Sequence, residues 1–146
     1  MGRELSFYYL WQKQLNCDNF FTMKYPTIAR NLFEWNTKNL LHDAHLKKSE
    51  IGQYFADTFT VRANGRVYAA NHDNYFEFLN GFRSTIQSIT YEFENFITEN
   101  LHVVVPMKAH IVRTDGCKET FEAILILQFN RDDKIVLWHE LYIKVP

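Results

Sequence analysis

Apolar residues recur every third or fourth position through the first half of the chain and every second position after Ser88. The first part therefore predicts helices and the last part strands. Glu4 to Leu15 predicts a short aromatic-rich helix within an N-terminal extension over residues 1–25. Pro26 suits a first helical turn, and residues 27–46 follow without Gly or Pro, with Ile28, Leu32 and Trp35 on one stripe and Phe33 and Leu40 beside it. Ser49 as an N-cap predicts a second helix from Glu50 to Ala56 that buries Ile51, Tyr54 and Phe55. A third is expected from Asp73 to Thr85, with Tyr75, Phe76, Leu79 and Phe82 buried. Between these two helices, Asn64-Gly65 separates two short strands over residues 59–68, the strongest short hairpin signal. Four longer strands follow, Ile89 to Ile97, His102 to Thr114, Lys118 to Phe129 and Lys134 to Val145. Their short connections predict an antiparallel meander.

Two-residue turns at Glu99-Asn100 and Asp115-Gly116, with Phe129 paired to Ile135, set a register. Tyr91 then faces Lys108, His110 faces Phe121 and Leu125 faces His139. Because side chains alternate, one face collects Tyr91, Phe93, Asn95, His110, Phe121, Leu125, Leu137 and His139, and is expected to lie under the helices. The other collects Glu122, Ile124, Trp138, Glu140 and Tyr142, a mixture of charge and large apolar groups expected to form a homodimer.

The length of 146 residues fits one domain, placed over residues 26–146. With 16 Lys plus Arg against 17 Asp plus Glu, no field draws the chain to a polyanion, so neither nucleic acid nor membrane is expected as a partner. The 13 Phe, 8 Tyr and 3 Trp exceed what a core of this size needs as filler, which points to an aromatic-lined pocket or an interface. Cys17 and Cys117 suggest neither a disulfide framework nor a metal site, so a reducing, cytoplasmic compartment is expected. His42 and His45 share a helical face but lack a third ligand nearby, and no phosphate-cradling glycine loop occurs; neither metal nor cofactor is expected.

YFADTFTVRANGRVY (Tyr54 to Tyr68), the aromatic helix YFEFLNGF (Tyr75 to Phe82) and the final hairpin ILILQFNRDDKIVLWHELYI (Ile124 to Ile143) resemble the nuclear transport factor 2-like superfamily. Within it the likeness is to the SnoaL-like, polyketide cyclase-like group. The resemblance implies an α+β, cystatin-like cone: three main helices packed on a strongly curved antiparallel sheet, an apolar pocket inside and a dimer through the outer sheet face. It spans isomerases, cyclases, dehydratases and proteins that only bind or scaffold, so the reaction is not set by the fold. Many such chains carry an acidic residue where this one has Ile143.

The function expected first is binding of a small apolar or cyclic ligand in a pocket lined by Trp35, Tyr54, Phe55, Phe59, Phe82, Phe93, His110, Phe121, Leu125 and Leu137. A metal-independent acid–base enzyme of the isomerase, cyclase or dehydratase kind is the alternative, with His139 carrying the proton and Asn95 or Tyr91 donating to a developing oxyanion. An interaction or scaffold protein is the third reading. Asp57 is expected to bond local backbone or an arginine.

Overall fold

A computed structural model describes residues 23–146. The helix expected over residues 4–15 lies outside them. The first helix, α1, occupies residues 23–39 and buries Tyr25, Ala29, Leu32, Phe33 and Asn36 along one stripe, with Leu40 just beyond its end. It stops seven residues short of the predicted Leu46 because distant groups claim the backbone there. The Arg83 guanidinium donates to the carbonyls of Leu41 (2.7 Å) and Ala44 (2.8 Å), and the His42 N–H donates to Ile86 O at 2.8 Å.

The second predicted helix shortens to a 3-10 turn, Lys48–Gln53, which buries Ile51. Strand β1 (Phe55–Ala63) starts directly after it, and His72 Nε2 meets the carbonyls of Phe55 and Ala56 at 3.2 and 2.9 Å. Strand β2 (Arg66–Asn71) returns through Asn64-Gly65, whose φ angles of 48° and 82° give the left-handed pair a tight hairpin needs. Helix α2 (His72–Arg83) opens on a capping box in which the Asn71 side chain accepts from Asn74 N at 2.9 Å and Asn74 Oδ1 accepts from Asn71 N at 2.9 Å. Asn71→Ala should therefore cost about 1 kcal/mol in urea unfolding; a loss below ~0.3 kcal/mol would show that Asn74 holds the helix start alone.

Strands β3 (Ile86–Phe93), β4 (Ile97–Glu99), β5 (His102–Arg113), β6 (Lys118–Phe129) and β7 (Ile135–Val145) complete a seven-stranded sheet. Its order is β2-β1-β7-β6-β5-β3, with β4 also on β5. The sheet is open, and β1 runs parallel to β7. Both findings correct the strongly curved, purely antiparallel sheet expected from the resemblance: the chain brings β1 alongside its last strand, which no meander of hairpins can do. Both helices pack on the face carrying Val103, Val105, Leu125, Leu127, Phe129 and Ile135.

Three local features move the pairing by one residue from the expected register. The connection after Arg113 is a three-residue loop, Thr114 to Gly116, with Gly116 at φ 86° and Arg113 N donating to Cys117 O at 2.8 Å. Ala109 thus faces Phe121, and His110 faces Thr120. The turn before β5 sits on Asn100-Leu101, which moves the β4 pairing by two residues so that Ile97 faces Val104; the loop over residues 94–96 takes one back, and Tyr91 faces Ala109. Phe129 does face Ile135, but Gln128 faces Leu137, so Val136 is an extra residue on β7, a β-bulge. With a side-chain period of two, these shifts reverse β5 and β7 while β3 and β6 keep the expected face. Met107, Ala109 and Ile111 of β5 and Trp138, Glu140 and Tyr142 of β7 turn inward, while His110, Leu137 and His139 take the opposite face.

Candidate functional site

A cavity of about 400 Å³ opens between the two helices and the inner face of the sheet. Helix α1 contributes Phe33, Asn36 and Leu40; α2 contributes Tyr75, Phe78, Leu79 and Phe82, one to two turns apart on one face. The sheet supplies alternate residues: Val61 and Ala63, Ile89 and Tyr91, Phe121 and Ala123, the β5 run Met107, Ala109, Ile111 and Arg113, and Trp138, Glu140 and Tyr142. Aromatic pairs build the walls. Tyr75 stacks on Phe78 (centroids 5.9 Å) and Phe78 on Phe82 (6.3 Å), while Phe121 meets Tyr142 edge-on at 6.0 Å.

Among the described residues that line the cavity, Glu140 is the one carboxylate. Trp138 stands two residues before it on the same side of β7, and its indole N–H donates to Glu140 Oε2 at 3.1 Å. Oε1 takes no hydrogen bond among the described residues. Burial against aromatic walls raises the Glu140 pKa above its ordinary range, and the Trp138 bond opposes this only in part. The hydroxyls of Tyr75 and Tyr91 lie within the field of Glu140. Desolvation raises both phenol pKa values, the Glu140 charge adds to this, and the Asn36 amide moderates Tyr91. Both phenols therefore stay protonated hydrogen-bond donors. A half-buried carboxylate that shares a cavity with two neutral phenols can take a proton from carbon or oxygen while a phenol donates to the oxygen that becomes negative.

Of the residues the sequence nominates for catalysis, Tyr91 alone lines this cavity. His139 lies opposite Ile126 and Arg62 on the other face of β7, turned there by the Val136 bulge. Asn95 is exposed in the loop between β3 and β4. Of the nominated pocket residues, Phe82 and Phe121 line the cavity. Phe55, Phe59 and Leu125 are core, the first two packed on Tyr75 with centroids 5.0 Å away. Trp35 and Tyr54 meet each other at 6.2 Å between α1 and the 3-10 turn, where Trp35 Nε1 donates to Glu50 Oε2 at 3.0 Å. Phe93 packs on Phe33 and Phe96. Leu137 and His110 take the outer face, His110 between Glu92 Oε2 at 2.9 Å and Thr120 Oγ1 at 3.0 Å. Glu140 was missed because Leu137, Leu141 and Ile143 made the wrong face of β7 look like the core face. The available signal was its two aromatic neighbours at i±2, Trp138 and Tyr142.

Among the described residues, no group of three His, Cys, Asp or Glu side chains could hold a metal ion, and no helix is long and apolar enough to cross a membrane.

Solved structures share this architecture. A provisionally assigned polyketide cyclase from Acidithiobacillus ferrooxidans superposes with a TM-score of 0.68 at 11% identity, covering 82% of this chain and 87% of its own. AclR, a provisionally assigned hydroxylase from Streptomyces galilaeus, gives 0.65 at 12% identity, over 83% of this chain and 76% of its own. A nuclear transport factor 2-like protein of unknown function from Exiguobacterium sp. 255-15 gives 0.54 at 19% identity, over 64% of this chain and 78% of its own. At these identities the likeness is one of fold. No curated protein matches the chain significantly. The SnoaL-like domain family matches residues 34–138, a span from the middle of α1 to the indole that holds Glu140, and the chain belongs to that family.

Proposed function

We propose that the cavity binds a small, largely apolar cyclic molecule bearing a carbonyl group, and that Glu140 moves a proton on it. One observation carries the reading: a half-buried carboxylate with a raised pKa stands in a cavity of about 400 Å³, the size of a ligand of two or three rings, whose other lining is aromatic and aliphatic apart from Asn36 and Arg113. In the simplest step the C–H bond next to the carbonyl breaks, its proton passes to Glu140 Oε1, and the electron pair moves onto the carbonyl oxygen, where Tyr91 or Tyr75 donates a hydrogen bond. Return of the proton to a different carbon is an isomerisation; loss of a hydroxide from the next carbon is a dehydration. The cyclase named among the fold's neighbours supports this class of chemistry and does not select within it. The test is exchange of the α-protons of a bicyclic ketone, 2-tetralone, in deuterated water, followed by NMR. Acceleration by the wild type that disappears in Glu140→Gln supports the reading, and equal rates with and without protein sink it.

The outer face of the sheet supports self-association. Ile124 and Leu141 face each other across β6 and β7, and Glu122 faces Ile143. Ile124, Leu141 and Ile143 are more than half exposed, an apolar strip unusual for a free surface. Glu122 and Ile124 stay on this face as expected, but Trp138, Glu140 and Tyr142 turn away and Leu141 and Ile143 replace them. Leu141→Lys should convert a dimer to a monomer in sedimentation velocity; unchanged mass would exclude this face.

A further inference from the structure

The inward residues of β5 are, in order, Met107, Ala109, Ile111 and Arg113, and all four line the cavity. The cavity thus follows β5 for six residues, roughly 20 Å of extended strand, and ends at a guanidinium. Glu140 belongs to the other end, since it faces Leu125, which faces Val105. Between the two ends the wall is aromatic or aliphatic apart from Asn36.

Arg113 is held in place. Its Nε donates to Glu119 Oε1 at 2.6 Å and its Nη1 to Thr85 Oγ1 at 3.1 Å. The Arg113 side chain is 24% exposed and Glu119 15%. Nη2 takes no acceptor among the described residues. Glu119 does not cancel the local charge, because its second oxygen, Oε2, is shared with Lys144 at 3.3 Å. Two cations and one carboxylate leave an excess of one positive charge beside the cavity's end. An anion there also lies far from Glu140, so the two negative groups do not oppose each other.

We infer that Arg113 is the anchor of this cavity for a terminal carboxylate, so that the ligand is a flat or extended apolar acid lying along β5 with its carboxylate at Arg113 and its apolar body directed toward Glu140. This rests on the ligand-binding reading above and adds to it the charge and orientation of the ligand. The Nε bond to Glu119 and the Nη1 bond to Thr85 fix the plane of the guanidinium, leaving Nη2 to meet a carboxylate oxygen.

The full chain is titrated calorimetrically with 2-naphthoate and with its neutral twin 2-naphthamide, which share one apolar body. The wild type should bind the acid at least about tenfold more tightly than the amide. Arg113→Gln should bind the two alike, with affinity for the amide kept within about twofold of wild type. Raising the salt concentration should narrow the gap in the wild type itself, which keeps the test valid if Arg113→Gln folds poorly. Binding of both compounds without preference overturns the anchor and leaves the pocket reading standing. So does a preference that survives Arg113→Gln or ignores salt. Failure of the wild type to bind either compound overturns the pocket reading and the anchor with it.

Discussion

Replacing Glu140 with glutamine should slow ketone exchange by about 10²–10⁴-fold, the range removed with a positioned general base, and should raise the melting temperature near neutral pH. The two effects share one cause. Burial sets the folded-state pKa of Glu140 above its ordinary value of 4.5. Below 4.5 the group is neutral in both the folded and the unfolded chain, and the fold keeps its full stability. As pH rises the unfolded chain ionises first, so the stability contributed by the protonated form is lost progressively until pH passes the folded value. A glutamine never ionises and avoids that loss. The variant should therefore melt higher than wild type near neutrality and converge with it on acidification below 4.5. A variant less stable at neutral pH, or a gap that stays constant with pH, would show that Glu140 is not strained by its surroundings.

Truncating Phe129 to alanine should cost about 3–5 kcal/mol, the range for emptying a large aromatic site. Phe129 is 1% exposed, stacks on Tyr25 with centroids 4.6 Å apart, and pairs with Ile135 beside the Val136 bulge. Its N–H donates to Leu101 O at 2.8 Å, so the same residue ties the β6–β7 end to the turn before β5. Against a total of about 5–15 kcal/mol, this loss takes much of the margin. Denaturant unfolding with an unchanged slope and a loss under about 1.5 kcal/mol would mean that Tyr25 and its neighbours collapse into the space.

The elements written in local chemistry were legible from the residues. Asn64-Gly65 forms its hairpin because both positions accept positive φ, and the apolar stripe Tyr75, Leu79, Phe82 places α2 to within two residues at either end. What could not be read depends on partners far along the chain. Helix α1 ends where Arg83, some forty residues later, takes its carbonyls. The pairing of β1 with β7 joins residues more than seventy apart, where Asn64 exchanges two 2.9 Å hydrogen bonds with the Tyr142 backbone. The site failed for a different reason. Both faces of β7 are apolar, so alternation could not choose between His139 and Glu140, and a one-residue bulge with no signature in Ile135-Val136-Leu137 made the choice.

That bulge makes the pocket's chemistry depend on a count of residues as well as on their kind. Were β7 to pair without the bulge, with Val136 opposite Gln128, His139 would face Leu125 in the place now held by Glu140, with Leu137 and Leu141 beside it in place of Trp138 and Tyr142. A carboxylate pocket would become an imidazole pocket without any substitution elsewhere. In this fold a one-residue bulge chooses between two acid–base chemistries.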